Sequence, residues 1–320
     1  MAGWYGLGAP AGSRRRARRA YFAVLRPIRA RHGAGLAAHP LGAGVLEPKR
    51  PMKLTLQGTG GADGIPGLFG DSRVSEHARQ HKGRDLRTRA AALVNEDLKI
   101  DFGPDTFSQV IATGSCPRDW SAVVFTHSDA DHFAIEELQY AVVPFTAEDS
   151  CPFTIYANGT IIRRLRERYP DWPMEMVTTQ SFASVTHGEY VITPIKANHG
   201  SPAEDTQNLV IEQGGRTLLY ATDTGIWDER TWRFLQGLNV HLLVIECSEG
   251  FVHTPYNGHL DVHECLAMVG RLRQMGTLGP DSQVVTTHHS HNGDATHEEL
   301  VKWFEPHGIQ VGYDGLVLEV

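Results

Sequence analysis

The chain has 320 residues, 41% hydrophobic and 21% charged, which is an ordinary balance for a soluble globular protein. Its longest apolar runs are as short as strands, far below the ~20 residues that a membrane-spanning helix needs. The four cysteines lie far apart without a CxxC pair. This spacing argues against a disulfide framework or a structural zinc knuckle, and it favours a reducing, cytoplasmic setting.

The first 51 residues differ from the rest of the chain. They carry nine Arg and Lys49 against a single acid, Glu47, so residues 52–320 hold 20 of the 30 basic and 36 of the 37 acidic residues. We expect residues 1–51 to be a disordered extension. A mitochondrial transit peptide and a nucleic-acid-binding tail are alternatives, but we favour an upstream translated segment, with Met52 as the natural start. The net charge of about −16 on residues 52–320 would repel phosphate backbones, which argues against a nucleic-acid partner.

From Met52 onward, the hydrophobic pattern predicts alternating strands and helices in one domain, residues 52–320. The predicted strands are 53–57, 91–94, 98–101, 122–125, 153–156, 190–195, 208–212, 217–221, 242–245, 284–287 and 316–320. The predicted helices are 135–142, 159–168, 229–235, 262–275 and 296–304. Residues 62–89 form a polar insertion, read as a surface helix or lid. This order predicts sheets covered by helices.

One short segment concentrates groups that bind metal ions. Residues 126–132 read Thr-His-Ser-Asp-Ala-Asp-His, which places His127, Asp129, Asp131 and His132 directly after a predicted strand. Imidazole nitrogen mixed with carboxylate oxygen suits zinc, manganese or iron. The alternative is a helix start, where acidic residues are favoured by the helix dipole.

Four further segments place His or Asp at the end or edge of a predicted element, where functional loops cluster. They are Asn198-His199-Gly200, Thr222-Asp223-Thr224-Gly225, Gly258-His259-Leu260-Asp261 and Thr287-His288-His289-Ser290-His291. A single such histidine is more often a loop or core residue than a ligand. Their recurrence together with the 126–132 segment favours a metal centre.

With these motifs, residues 52–320 resemble the metallo-β-lactamase superfamily, whose hallmark HxHxDH is followed by separate His, Asp and His ligands. The strings LTLQGTGGADGIP, LLYATDTG, GHLDVHE, VVTTHHSH and VGYDGLVLEV are most similar to the cyclic-phosphate phosphodiesterase of the carbon–phosphorus lyase pathway and to tRNase Z-like relatives. The resemblance implies an α/β fold, a four-layer αββα sandwich. It also implies a hydrolase with two divalent metal ions, zinc or manganese, with iron as a further candidate.

The resemblance also implies a ligand set at matching positions. The first metal would be held by His127, Asp129 and His199, the second by Asp131, His132 and His288, and Asp223 would bridge the pair.

Other positions acquire roles in the same way. Asp131 would contribute to catalysis as well as to binding. His259 would be the proton donor to the leaving group, and His291 would contact the substrate phosphate. Asp101 would orient the metal-binding loops.

Two departures from the family pattern affect the expected metal chemistry. Asp129 stands where the hallmark has histidine, and the close relatives' cysteine-rich zinc-binding insertion has no cysteine counterpart in residues 62–90. With three carboxylates, two dications would keep a net charge of about +1, and the added carboxylate oxygen is a hard donor. We therefore expect a preference for manganese or iron over zinc, or a weakly held first metal.

The sequence thus predicts a phosphodiesterase that acts on a small phosphodiester, cyclic or open, through a metal-bound hydroxide. One alternative is a lactone or lactam hydrolase with the same metal site. Another, which Asp129 keeps open, is a non-hydrolytic metal-binding protein of cofactor biosynthesis. A tRNA-processing enzyme is disfavoured by the acidic charge. We expect a small-molecule substrate and no membrane partner, and a homodimer is left open.

Overall fold

The computed structural model describes residues 51–146 and 153–320. The predicted N-terminal extension therefore lies outside the described residues, apart from Pro51. No helix within the described ranges is long and apolar enough to cross a membrane.

Two seven-stranded sheets form the centre of the fold. The first has the order β14-β1-β2-β3-β4-β5-β6, with β1 (Lys53–Gly58), β2 (Ala91–Val94), β3 (Leu98–Ile100), β4 (Ala122–Val124), β5 (Thr154–Ala157), β6 (Met176–Thr178) and β14 (Leu316–Glu319). The second has the order β13-β12-β11-β10-β9-β8-β7, with β7 (Val185–His187), β8 (Tyr190–Lys196), β9 (Gln207–Gln213), β10 (Arg216–Ala221), β11 (Val240–Glu246), β12 (Leu278–Thr287) and β13 (Gln310–Val311).

Both sheets are mixed, and their parallel parts determine where loops meet. Strands β3 to β6 run parallel to one another, as do β10 to β13. Ile100 lies opposite Val124, and Ala221 lies opposite Ile245. The loops that leave these strands therefore emerge side by side at one edge of each sheet.

Helices cover the outer faces of the sheets. They are α2 (Thr106–Thr113), α3 (Gly159–Arg168), α4 (Glu229–Leu235), α5 (Val262–Gln274) and α6 (His297–Phe304). Helix α1 (Arg73–His81) packs instead against Ile65 within the 62–89 insertion. The starts of α5 and α6 are fixed by capping boxes, Asp261 with Glu264 and Thr296 with Glu299.

Alternating side chains show the four layers. In β11, Leu242 packs into the core between the two sheets, whereas Leu243 packs outward against the helices on its own side. In β4, Val124 faces the inter-sheet core and Val123 faces the cluster that includes α3. Strands buried on both faces lose the simple alternation of polar and apolar residues. The predicted αββα sandwich is confirmed.

The prediction of an α-helix over residues 135–142 was wrong. The chain forms a short 3₁₀ helix there, Glu137–Ala141, which begins without a side-chain cap. Val142 is extended at its end, and the Val143–Pro144 sequence that follows disfavours helical backbone. Helix α1 lies within residues 62–89, for which a surface helix or lid was predicted. Helix α2 and the short strands β6, β7 and β13 were not among the predicted elements.

Candidate active site

The predicted site residues from both sheets meet at one rim. The first sheet contributes the loop 126–132 after β4. The second sheet contributes His199 after β8, Asp223 after β10 and His288 after β12. Strand ends are fixed by the hydrogen-bonded ladders behind them, so the loops that follow can hold side chains at defined positions.

The 126–132 loop is fastened to the neighbouring strand end. Asp101 Oδ1 accepts a hydrogen bond from the backbone N–H of Thr126 at 2.8 Å, and both carboxylate oxygens accept from its hydroxyl. Gly103 allows the loop to pass closely, because a Cβ there would lie 1.9 Å from the carbonyl oxygen of Asp131. This close approach explains a glycine whose role was not predicted from the sequence.

The candidate ligands form two groups that share one carboxylate. Asp131, His132, Asp223 and His288 each offer an atom within 4.8 Å of the others, and His127, His199 and Asp223 form a second such set. Asp223 Oδ2 lies 3.0 Å from His132 Nε2 in the one group, and its Oδ1 lies 3.8 Å from His199 Nε2 in the other. Asp223 therefore stands between the two groups, as a bridging ligand would.

Asp129 lies at the open side of the group formed by His127, His199 and Asp223. Its Oδ2 is 3.5 Å from His199 Nε2 and 3.6 Å from His127 Nε2. The imidazoles of His127 and His199 beside it hold the pKa of the Asp129 carboxyl well below its usual range. The side chain is 53% exposed, in contrast to the nearly enclosed histidines.

The Nδ1 atoms of four histidines are engaged by groups behind the site. His127 Nδ1 pairs with Thr126 Oγ1 at 3.0 Å, His132 Nδ1 with Asp101 Oδ2 at 2.8 Å, His199 Nδ1 with the Gly258 carbonyl at 2.9 Å, and His288 Nδ1 with Ser248 Oγ at 2.7 Å. Such partners fix the ring orientation and leave Nε2 as the coordinating atom.

The orphaned ring nitrogens show that these residues fit metal ions. Within residues 51–146 and 153–320, the buried Nε2 atoms of His127, His132 and His288 have no hydrogen-bond partner, although carboxylates lie close by. Buried polar atoms are rarely left unpaired in native proteins. Nitrogen and oxygen donors that converge on one place and leave three buried imidazole nitrogens unpaired are suited to hold divalent cations.

The electrostatics of the site favour positive charge. Burial disfavours the charged form of His132, but the carboxylates of Asp223, Asp131 and Asp101 outweigh it and raise its pKa well above its usual value. Burial likewise opposes ionisation of Asp223, but His288 and His132 hold its pKa well below the usual range. The same carboxylates would attract a divalent cation.

Three residues at the rim adopt left-handed backbone conformations that non-glycine residues rarely use. Asp101, Asp223 and His288 have φ values of 57°, 51° and 53°. Each immediately or nearly follows a strand, so the turn redirects the side chain from the sheet towards the rim. Backbone strain of this kind concentrates at functional sites.

Glu246 was not predicted as a site residue, yet it lies beneath the cluster. Its fully buried carboxylate accepts hydrogen bonds from the backbone N–H of Thr224 at 2.6 Å and from Ser248 Oγ at 2.7 Å, and it pairs with His259 Nδ1 at 2.8 Å. Ser248 in turn contacts His288. The available signal was an acid at the end of a predicted strand, the rule already used for His and Asp.

His259 lies beside the candidate ligands. Its ring centroid is 4.7 Å from that of His199 and 5.5 Å from that of His288. Burial opposes protonation of this imidazole, but Glu246 outweighs it and raises the pKa of His259 to about 9.

The structure places His291 differently from the other predicted residues. Its Nε2 lies 2.9 Å from Asp63 Oδ2 and its Nδ1 lies 3.0 Å from Ser72 Oγ. Gly67 and Gly70 also pack against the ring. His291 is thus surrounded by the first part of the 62–89 insertion, residues 62–75, and both of its nitrogens have partners within the protein.

A family model described as the beta-lactamase superfamily domain matches residues 98–289, more than half of the chain. The chain belongs to the metallo-β-lactamase superfamily. As a superfamily member it is an enzyme of hydrolase type, and such proteins typically bind divalent metal ions. Its His/Asp cluster is able to hold such ions.

Solved structures of superfamily members share the whole fold. A diphosphatase from the PhnP family is 24% identical, with a TM-score of 0.66 over 84% of this chain and 98% of its own. Zn²⁺-bound PqqB from Methylobacterium extorquens is 18% identical, with a TM-score of 0.67 over 84% of this chain and 100% of its own. The short form of human tRNase Z is 13% identical, with a TM-score of 0.55 over 84% of this chain and 99% of its own. No curated protein matches the sequence.

Proposed function

We propose that this chain is a dinuclear metal-dependent phosphodiesterase that acts on a small phosphodiester, cyclic or open. The ions would be held by the two groups that share Asp223: His127, Asp129 and His199 on one side, and Asp131, His132 and His288 on the other. Bound there, divalent cations would supply Lewis-acid activation of water and of a phosphoryl oxygen.

The Glu246–His259 pair is the observation that favours a phosphodiester as the substrate. Glu246 engages Nδ1 of His259 at 2.8 Å, so the ring's other nitrogen lies on the side away from the carboxylate. The Glu246 carboxylate favours the protonated form of the imidazole, because it raises the pKa of His259. His259 can therefore donate a proton from Nε2 to a departing alkoxide, which is a poor leaving group without a general acid.

This proton donor favours a phosphodiester over the alternatives. Opening a strained lactone or lactam ring depends less on such an acid, because release of ring strain assists departure of the leaving group. Glu246 would then serve only to hold Thr224 and Ser248. A structural neighbour described as a diphosphatase also acts at a phosphate group. The negative charge of residues 52–320 supports a small substrate, because it would repel a polyanionic one.

The proposal is tested with two diesters that differ in leaving group. In His259→Ala, turnover of a cyclic dialkyl phosphate should fall by about 10²–10⁴-fold, the usual contribution of a general acid. Turnover of bis(p-nitrophenyl) phosphate should change much less, because p-nitrophenolate leaves without a proton. Metal content should equal that of the parent protein.

Two results would overturn the proposal. Unchanged turnover of the dialkyl phosphate in His259→Ala would remove the general-acid role. Hydrolysis of a chromogenic lactam or a lactone at rates far above those of every diester, with manganese or with zinc, would reassign the substrate class. Hydrolysis of none of these compounds would favour a non-hydrolytic protein.

A further inference from the structure

Ser128 and Glu204 join the two loops that bear the candidate ligands of the first metal. Ser128 stands between His127 and Asp129 in the loop after β4, and Glu204 belongs to the segment that follows His199. The Ser128 hydroxyl donates to Glu204 Oε2 at 2.7 Å. One hydrogen bond thus connects the loops of the two sheets beside His127 and His199.

Glu204 is itself held from several directions. Its Oε1 accepts a hydrogen bond from Asn158 Nδ2 at 2.8 Å, and its backbone carbonyl accepts one from Lys196 Nζ at 2.7 Å. Asn158 is completely buried and caps α3 by accepting from the backbone N–H of Thr160. The carboxylate position is therefore set by the start of a helix and the end of a strand, two rigid elements.

Ser128 is also fixed through its backbone. Its carbonyl oxygen accepts a hydrogen bond from Arg164 Nη1 at 2.8 Å, and the Arg164 guanidinium lies 5.0 Å from the Phe133 ring centroid. The ends of the loop are held separately, because Thr126 bonds to Asp101 and the backbone N–H of Phe102 donates to the carbonyl of His132. In the middle of the loop, the Asp129 carbonyl accepts from the backbone N–H groups of His132 and Phe133, and Ser128 supplies the side-chain bond to the loop of the other sheet.

Glu204 has both carboxylate oxygens occupied by hydrogen bonds, so it acts through Ser128 and not as a ligand. Asp129 gains most from this arrangement, since its side chain is 53% exposed and has little packing of its own to hold it. We propose that Glu204 is a positioning residue that fixes His127 and Asp129 relative to His199 and thereby sets the affinity of the first metal site. This inference rests on the two-metal site proposed above.

The experiment measures metal binding, with no use of activity. Protein stripped by a chelator is titrated with Mn²⁺ by calorimetry, and bound metal is counted by elemental analysis. The first site is identified as the one weakened by Asp129→Ala. Glu204→Ala should weaken that site by about 10–100-fold, the usual effect of removing a partner behind a ligand. The other site should change by less than twofold.

Three variants separate positioning from general damage. Ser128→Ala should match Glu204→Ala, and the double variant should be no worse than either, because both remove the same connection. Glu204→Gln should stay within about threefold of the parent, since an amide can accept from Asn158 and donate to the Ser128 hydroxyl. Glu212→Ala, at an exposed acid on β9, is the matched control.

Unchanged Mn²⁺ affinities in Glu204→Ala would overturn the inference, and so would equal weakening of both sites. If the parent protein binds a single ion, this inference fails together with the two-ion part of the proposed function. Phosphodiester cleavage is judged separately, by the leaving-group comparison in His259→Ala.

Discussion

The Oδ2 atom of Asp101 lies 2.8 Å from Nδ1 of His132, and both side chains are completely buried. The other oxygen accepts from the backbone of Thr126, so one carboxylate holds both ends of the 126–132 loop. Asp101 directly follows β3, and its role was predicted from the family resemblance alone.

We expect Asp101→Asn to lower metal affinity by about 10–100-fold. The amide is neutral and has one acceptor oxygen, so it cannot replace a carboxylate that accepts from Thr126 and pairs with His132. Elemental analysis after purification and the apparent melting temperature would check this. Asp171→Asn, at an exposed position, is the control. Parent-like metal content in Asp101→Asn would contradict the expectation.

Asp129→His should shift metal preference towards zinc, since it replaces a hard, charged oxygen donor with imidazole. Competition between Mn²⁺ and Zn²⁺, read by elemental analysis, measures the change. The parent protein is expected to retain manganese or iron in preference to zinc. Two tightly held zinc ions in the parent, with the highest activity in zinc, would contradict this account of Asp129.

Gly103→Ala should displace the metal loop, because the added Cβ would lie 1.9 Å from the Asp131 carbonyl oxygen. Bound metal and thermal stability should both fall. Gly270→Ala is the matched control: a Cβ at this position in α5 meets open space, and alanine is the better helix former, by up to ~1 kcal/mol. Equal effects of the two substitutions would argue against a close approach at Gly103.

His297 should make stability depend on pH. Burial, aided by Arg87 and Arg84, lowers the pKa of this imidazole to about 4, and Arg87 Nη2 lies 3.0 Å from its Nδ1. Between about pH 6.5 and pH 4 the unfolded chain binds a proton that the folded chain does not, so this contribution is present above pH 6.5 and is lost as the pH falls.

The measurement is the urea midpoint of the parent and of His297→Gln across this range. Glutamine can still accept from Arg87 but does not titrate. The stability of the parent relative to the variant should therefore decrease from about pH 7.5 to pH 4.5. A pH-independent difference would show that His297 is not held neutral in the fold.

The candidate metal ligands could be predicted from the sequence, whereas the residues that hold those ligands in place could not. Strand-end His and Asp residues, such as His127 and Asp223, were found because a strand followed by a polar loop is a local pattern. Glu246 was missed although it follows a predicted strand, because the strand-end rule was applied only to His and Asp. Glu204 was missed because its partner Ser128 lies 76 residues away along the chain. Only the assembled fold brings those groups into contact.

For the fold as well, elements with a local sequence signal were predicted and elements without one were missed. Helix 159–168 was predicted with the bounds that the structure has, since its cap and apolar face are local. Strand β6 was missed because its three residues are only half-buried or exposed and show no periodicity. His291 matched a family position, but the identity of its neighbours depends on the insertion at residues 62–75, which no local pattern reveals.

Because the candidate ligands come from both sheets, a bound ion would join the two halves of the protein in addition to the apolar core and the hydrogen bonds between them. Metal supply and folding would then be thermodynamically linked: free ion at about 100 times its dissociation constant adds ~2.7 kcal/mol to the stability of the folded chain. Newly made protein in a metal-starved cell would spend more time unfolded, and proteases would remove it sooner. The abundance of the enzyme, and not only its turnover, would follow the metal supply of the cell.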